Sequence, residues 1–366
     1  MYKAIDKWLL NYLTRKRKAP PRDSPVDILL CVCDHFEPFH ATDKAGALSR
    51  MRAWNESFPK LIQAFRDADG VPPRHTFFYP IEQYDRDVID ELERLTDACG
   101  GEVEIHLHHD NDTPDGLRAA IDQGVANFRR HGFLSRDPRG DIRFAFIHGD
   151  WALDNSHPTG RHCGVPDELR ILRESGCYVD MTLPSAPSPT QTKTINSVYY
   201  AKSSKSPKSH DTGRPVRVKK SAASPLRDDT SNLLLIQGPL GLNWERRKLG
   251  VLPRIENGDL TGANPPTMDR ARLWLRLHNH VAGRPDVVFV KLHTHGAIER
   301  NSEVFLGEPY KRFHEQLLGS FNDQRGRRIH YVTAREMTNI LHAMEDGRTG
   351  PPGDYRDYHF KLAGKP

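Results

Sequence analysis

Histidines and carboxylates recur in this sequence where apolar runs end, and two of the histidines stand two residues apart. In Glu104-Ile105-His106-Leu107-His108 an extended chain puts Glu104, His106 and His108 on one face and Ile105 and Leu107 on the other. Two imidazoles so placed can share a divalent ion. Zinc suits them, because catalytic zinc takes three nitrogen or oxygen ligands and leaves a position for water. Asp34, at the end of another apolar run, is the natural third ligand or the adjacent base, so the expected metal set is Asp34, His106 and His108. Other chemistry-bearing residues also follow apolar runs: His35 and Glu37 after the first, His109, Asp110 and Asp112 after the third, His148, Asp150 and Trp151 after the fourth, His293 and His295 after the penultimate. Of these, His35, Glu37, Asp112, His148, Asp150, Trp151 and His295 are candidates for metal or substrate contact.

The elements that must position these residues alternate. Val26 to Cys33, Thr76 to Tyr79, Val103 to His108, Phe144 to Ile147, Cys177 to Thr182, Leu233 to Ile236, Val287 to Leu292 and His330 to Val332 read as strands. Helix-period segments separate most of them: Met51 to Phe65, Val88 to Ala98, a helix opened by Thr113-Pro114, Pro166 to Ser175, and Arg335 to His342 at the end. Such alternation predicts an α/β fold with a parallel sheet, and about seven strands in this length favour a closed or nearly closed barrel. The carboxyl ends of its strands would open on one face, which brings the separate clusters together. Residues 1–26 read as an amphipathic helix and a Pro-containing linker, 27–345 as the barrel with a Ser-, Pro- and Lys-rich insertion at about 184–232, and 346–366 as a tail.

Composition removes several function classes. The longest clean apolar run, Ile28 to Cys33, has six residues, against about 20 for a membrane helix. The N-terminal apolar block precedes Arg15-Lys16-Arg17-Lys18, the reverse of a secretory signal's charge order, and five Cys do not make a disulfide framework, so a cytoplasmic setting is expected. Net charge is +5, yet residues 1–22 and 202–221 together carry +12, leaving the rest at −7. The basic residues lie on a terminus and a Ser- and Pro-rich loop rather than on folded, groove-sized elements, which argues against nucleic acid and leaves at most a weak surface contact through the N-terminus. No Gly-x-Ser-x-Gly elbow, Gly-x-Gly-x-x-Gly turn or Walker sequence is present.

The order of these pieces resembles the polysaccharide deacetylases, carbohydrate esterase family four, and within the glycoside hydrolase/deacetylase superfamily a divergent bacterial branch. Thr76-Phe77-Phe78 is similar to the family's second strand, Glu104 to His108 to its metal strand, Lys291-Leu292-His293 to its fifth motif, and Tyr331 to Met337 to its closing strand and helix. The resemblance covers about residues 27 to 345. It implies a distorted (β/α)7 barrel, a divalent metal held by one Asp and two His, and removal of acetyl groups from amino sugars of a glycan. It further implies Asp34 as base or metal ligand, His108 as a ligand and His293 as acid. The family's paired Asp is here Cys33-Asp34-His35, and its Arg-x-Pro-Tyr motif is replaced by Ile147 to Asn155. The expected function is thus a zinc-dependent hydrolase acting on an acetylated amino sugar. The alternatives are a metal-assisted glycosidase using Asp34, Glu37 and Asp150, or a degenerate barrel that only binds glycan.

Overall fold

The apolar run after Pro25 forms a ten-residue strand, β1 (Val26–His35), buried at every position. The structure, a computed structural model, describes residues 4–15, 25–219, 225–322 and 326–365. The remaining strands are β2 (Thr76–Pro80), β3 (Glu102–Leu107), β4 (Ser135–Arg136), β5 (Ile142–His148), β6 (Cys177–Asp180), β7 (Val198–Lys202), β8 (Arg214–Pro215), β9 (Asn232–Ile236), β10 (Gly241–Lys248), β11 (Leu252–Glu256), β12 (Val287–Thr294), β13 (Arg327–Tyr331) and β14 (Lys361–Leu362). Ten α-helices accompany them among the described residues: α1 (Ile5–Thr14), α2 (Lys44–Ile62), α3 (Arg86–Cys99), α4 (Pro114–Arg129), α5 (Glu168–Glu174), α6 (Pro225–Asp228), α7 (Met268–Leu277), α8 (Glu299–Phe305), α9 (Glu308–Phe321) and α10 (Ala334–Glu345). None is long and apolar enough to cross a membrane.

The central sheet is mixed and mostly parallel. β1 lies at its heart, parallel to β2, β12 and β13, and the parallel order continues through β3, β5, β6 and β9. β7 and β8 then add antiparallel strands. The period of two gives β1 two different faces. Ile28, Leu30 and Val32 pack with the apolar sides of α2 to α5 and α7 to α9, whereas Leu29, Cys31 and Cys33 pack with α10. Each fully buried aliphatic side chain in such a layer contributes roughly 1.5–3 kcal/mol.

Helix α10 is buried at all twelve positions. Its apolar residues Met337, Ile340, Leu341 and Met344 fill the inner face of the sheet, and each polar residue that shares the space has a partner. Arg335 pairs with Glu102 at 2.7 Å, Asn339 donates to the carbonyls of Arg356 and Phe360, and a capping box joins Thr333 to Glu336.

The closed seven-stranded barrel expected from the alternation is not formed: the hydrogen-bonded path runs from β12 to β8 without returning on itself. The second neighbour of β9 is the antiparallel β7, so the parallel order stops there. On the free edge of β12 the chain supplies an isolated bridge, Asp259 to His293, rather than a strand.

The stretch at 184–232, expected as an insertion, contributes to the core. Val198-Tyr199-Tyr200-Ala201 is buried within β7, and Thr190, Gln191, Thr192 and His210 are buried as well. Residues 220–224, and the linker residues 16–24, lie outside the described ones. The expected N-terminal helix is α1, whose Trp8 is buried against Ala186, Leu240, Leu273 and Leu277. The C-terminal stretch packs too, through Phe360 and through β14 on β4.

Candidate metal centre

The two faces of β1 decide which of its polar residues reach the inner side. Asp34 follows Val32 toward the helices, and His35 follows Cys33 inward. Asp34 is fully enclosed there, where Oδ2 accepts from Nε2 of His75 at 2.8 Å and Oδ1 accepts from the Gly296 amide at 2.6 Å. It therefore stands apart from the imidazoles it was expected to join, and no metal-capable grouping among the described residues includes it. Its place beside them is taken by Glu37.

His35, Glu37 and His106 form a buried grouping at the carboxyl ends of β1 and β3. Oε1 of Glu37 lies 3.1 Å from Nε2 of His106, whose Nδ1 faces the Ile147 carbonyl at 2.8 Å. The Ile147 carbonyl only accepts, so Nδ1 carries a proton, and without an ion Nε2 carries one too and donates to Glu37; an ion between them would take that proton's place. Nε2 of His35 is buried with no hydrogen-bond partner. Burial opposes ionisation of Glu37, but the hydrogen bond and charge of His106, with His295 and His108 behind it, hold the carboxyl at about 2. Burial pushes His35 well below the usual histidine range, and the neighbouring His295 and His106 push the same way.

The other expected residues surround this grouping at different depths. His108 is a third exposed, with Nδ1 2.7 Å from Glu82 and Nε2 3.6 Å from Glu37, and the Glu82 hydrogen bond outweighs burial to raise its pKa. His295 stacks on His35 with ring centroids 4.6 Å apart. His293 lies deeper, 6.4 Å from His35 between centroids, and its Nδ1 has no partner. Burial lowers the pKa of both His293 and His295. Trp151 covers the group, 6.1 Å from His35 and 5.9 Å from His295. Asp150 does not join them; it is exposed and pairs with His162 at 3.2 Å. Glu104, below His106, is occupied by the Ala145 amide and the Tyr178 hydroxyl, and burial raises its carboxyl to about 8.

His148 and Asp112 lie elsewhere. As Phe144 and Phe146 do, His148 faces the helix layer, where it meets His109 and Glu168. Glu168, in the first turn of α5, was not anticipated, because nothing in the spacing ties it to histidines on two strand ends. A third grouping, Asp90, Glu93 and His131, is already balanced by Lys365 on Glu93. His75 and Glu82, the partners of Asp34 and His108, were also missed; His75 directly precedes β2, which is the signal that could have found it.

The donor set at His35, Glu37 and His106 fits a divalent ion. It combines two imidazoles with one ionised carboxylate, and it leaves one buried nitrogen without any other partner. No protein-family model matches the chain, and no curated protein matches it.

Proposed function

We propose that this protein is a metal-dependent hydrolase, with zinc as the metal, that removes acetyl groups from an acetylated amino sugar of a glycan. The observation that carries the reading is the unpartnered buried Nε2 of His35 beside Glu37 and His106 at the strand ends. His35, Glu37 and His106 would hold the ion, with His108 and His295 at its margin. A divalent ion bound there supplies a Lewis acid for an acyl oxygen and lowers the pKa of bound water.

The chain's own residues do the rest. Nδ1 of His293, free of other partners, takes the proton of the attacking water and returns it to the leaving amine. Trp151 offers an apolar wall over the same centre, against which a sugar ring packs. Asp34 acts as a positioning residue through its hold on Gly296, next to His295. The glycosidase alternative needs its carboxylates together, and they are dispersed: Asp34 lies against the helix layer and Asp150 is exposed. A cytoplasmic setting belongs to the reading and is supported by five unpaired thiols.

The test is acetate release from N-acetylglucosamine oligomers by zinc-loaded full-length protein. Release that disappears on chelation and in Glu37→Gln is expected. Shortened oligomers without acetate would replace the reading with glycosidase action, and bound metal without turnover on any acetylated sugar would leave a binding protein.

A further inference from the structure

Three acceptor atoms converge on one point on the helix side of the sheet, across β3 and β5 from the centre described above. Nε2 of His109 lies 2.9 Å from Nε2 of His148 and 3.0 Å from Oε1 of Glu168. Nε2 of His148 is 3.3 Å from the same carboxylate oxygen. His148 and Glu168 have no solvent-exposed surface.

The outer nitrogens fix the tautomers. Nδ1 of His109 is 3.0 Å from Oδ2 of Asp112, and Nδ1 of His148 is 2.6 Å from the carbonyl of Gly149. A carboxylate and a carbonyl only accept, so both Nδ1 atoms carry hydrogen. With hydrogen at Nδ1 alone, both Nε2 lone pairs would face each other and a carboxylate in a buried space, an arrangement that repels unless a cation, either a metal ion or a proton on His109, lies among them. The separations fit such an ion, since donors held about 2.0–2.1 Å from tetrahedral zinc stand about 3.3 Å apart. Histidine ligands also characteristically donate their other N–H to a carboxylate or a backbone carbonyl, as both do here.

We propose that His109, His148 and Glu168 form a second divalent-cation site, best suited to zinc, that is independent of the His35–Glu37–His106 centre. Its ligands come from the loop after β3, the end of β5 and the first turn of α5, so the ion would staple three segments. The backbone between two of them needs such support: Asp150, Trp151, Asp154, Asn155, His162 and Asp167 all have positive φ. The second oxygen of Glu168 accepts from the Asp154 amide and carries the restraint into this loop. The His109 ring lies so close over Gly164 that a Cβ there would stand 1.9 Å from it. A cavity of about 700 Å³ lies beside it, lined in part by Asp112 and Gly164, the neighbours of His109.

The experiment uses the full chain carrying Glu37→Gln and His106→Ala, stripped with chelator and reloaded with zinc. One zinc per chain and a raised Tm are expected, and adding His148→Ala should bring the stoichiometry to zero. A folded double variant that takes up no zinc, or takes it up regardless of His148→Ala, would overturn the proposal. If a variant does not fold, zinc-edge anomalous diffraction from zinc-loaded wild type decides: a peak bonded to His109, His148 and Glu168 supports the site. Its absence there means that a proton shared by His109 is the cation instead. Peaks at the two centres are read separately, so either proposal can fail without the other.

Discussion

Nε2 of His75 lies 2.8 Å from Oδ2 of Asp34, with both side chains wholly enclosed by the helix layer. The pair joins β1 to the residue before β2, and the Gly296 amide on the other oxygen extends the link to the loop after β12. Asp34 therefore fixes the relative position of the segments that present His35 and His295, without facing either imidazole set itself.

Replacing Asp34 with Ala should cost about 3–5 kcal/mol, because it strands a buried partner and an amide donor. Denaturant unfolding measures this. The folded Asp34→Asn protein should keep its metal content, and loss of metal from it would make Asp34 a ligand after all.

Glu37→Gln should weaken zinc binding at the His35 centre by at least tenfold, since even outer partners of a metal site contribute about 10- to 100-fold. Calorimetric titration of the stripped protein checks this. Unchanged affinity would exclude Glu37 from the centre.

His293→Ala should lower acetate release by about 10²- to 10⁴-fold while metal content stays at the wild-type level, the signature of a lost proton carrier. Loss of metal in the same variant would mean that His293 is a ligand, and full activity would remove its role in proton transfer.

A further expectation concerns pH. His330 lies between Asp27, 2.9 Å from Nε2, and Asp69, 2.8 Å from Nδ1. Burial disfavours its charge, but the hydrogen bonds to Asp27 and Asp69 outweigh that and raise it to about 8. The folded pKa is above the unfolded value of about 6.5, so this stabilisation is complete below pH ~6.5 and fades as pH rises through about 8; the full shift corresponds to about 2 kcal/mol. Asp69 works oppositely. Burial opposes its charge, yet His330 and Arg356 hold it at about 2, so its contribution is present above pH ~4 and fades as pH falls toward 2. His330→Gln should flatten the alkaline decline of stability; an unaltered pH profile in that variant would show that the cluster is not coupled to folding.

How much of this could be read from the sequence depends on whether a residue's environment is local. The alternation in Glu104 to His108 put His106 and His108 on one face, and their rings lie 4.5 Å apart between centroids, because β3 is a regular strand up to Leu107 and the chain keeps its direction for one residue more. The same rule, applied to Leu29, Cys31 and Cys33, selects His35 rather than Asp34, which was chosen as the carboxylate ending the run without asking which face it shares. Thr113 and Pro114 open α4 as their types require, with the Thr113 side chain accepting from the Gly116 amide. Glu168 could not be found, since its partners come from two strands and are joined to it only by folding. Val198 to Lys202 was hidden by its Ser- and Lys-rich surroundings, although Tyr199 and Tyr200 are strand-forming residues. Helix α10 was expected from its period, but its full burial was not, because Arg335, Glu336 and Asn339 look like surface residues until Glu102, Arg356 and the Phe360 carbonyl are seen beside them.

The central strand has further implications for how the chain reaches this state. Asp27 on β1 holds Arg328, 301 residues downstream, and two of the three neighbours of β1, β12 and β13, lie near the far end of the sequence. The helix that fills the inner face, α10, follows even those strands. A nascent chain leaving the ribosome at about 5–20 residues per second therefore exposes Leu29, Cys31, Phe78, Ala145 and Ile147 for most of its synthesis. Such long-range pairing slows folding, and a chain halted before Ala334 would present that apolar face to chaperones or to other copies of itself.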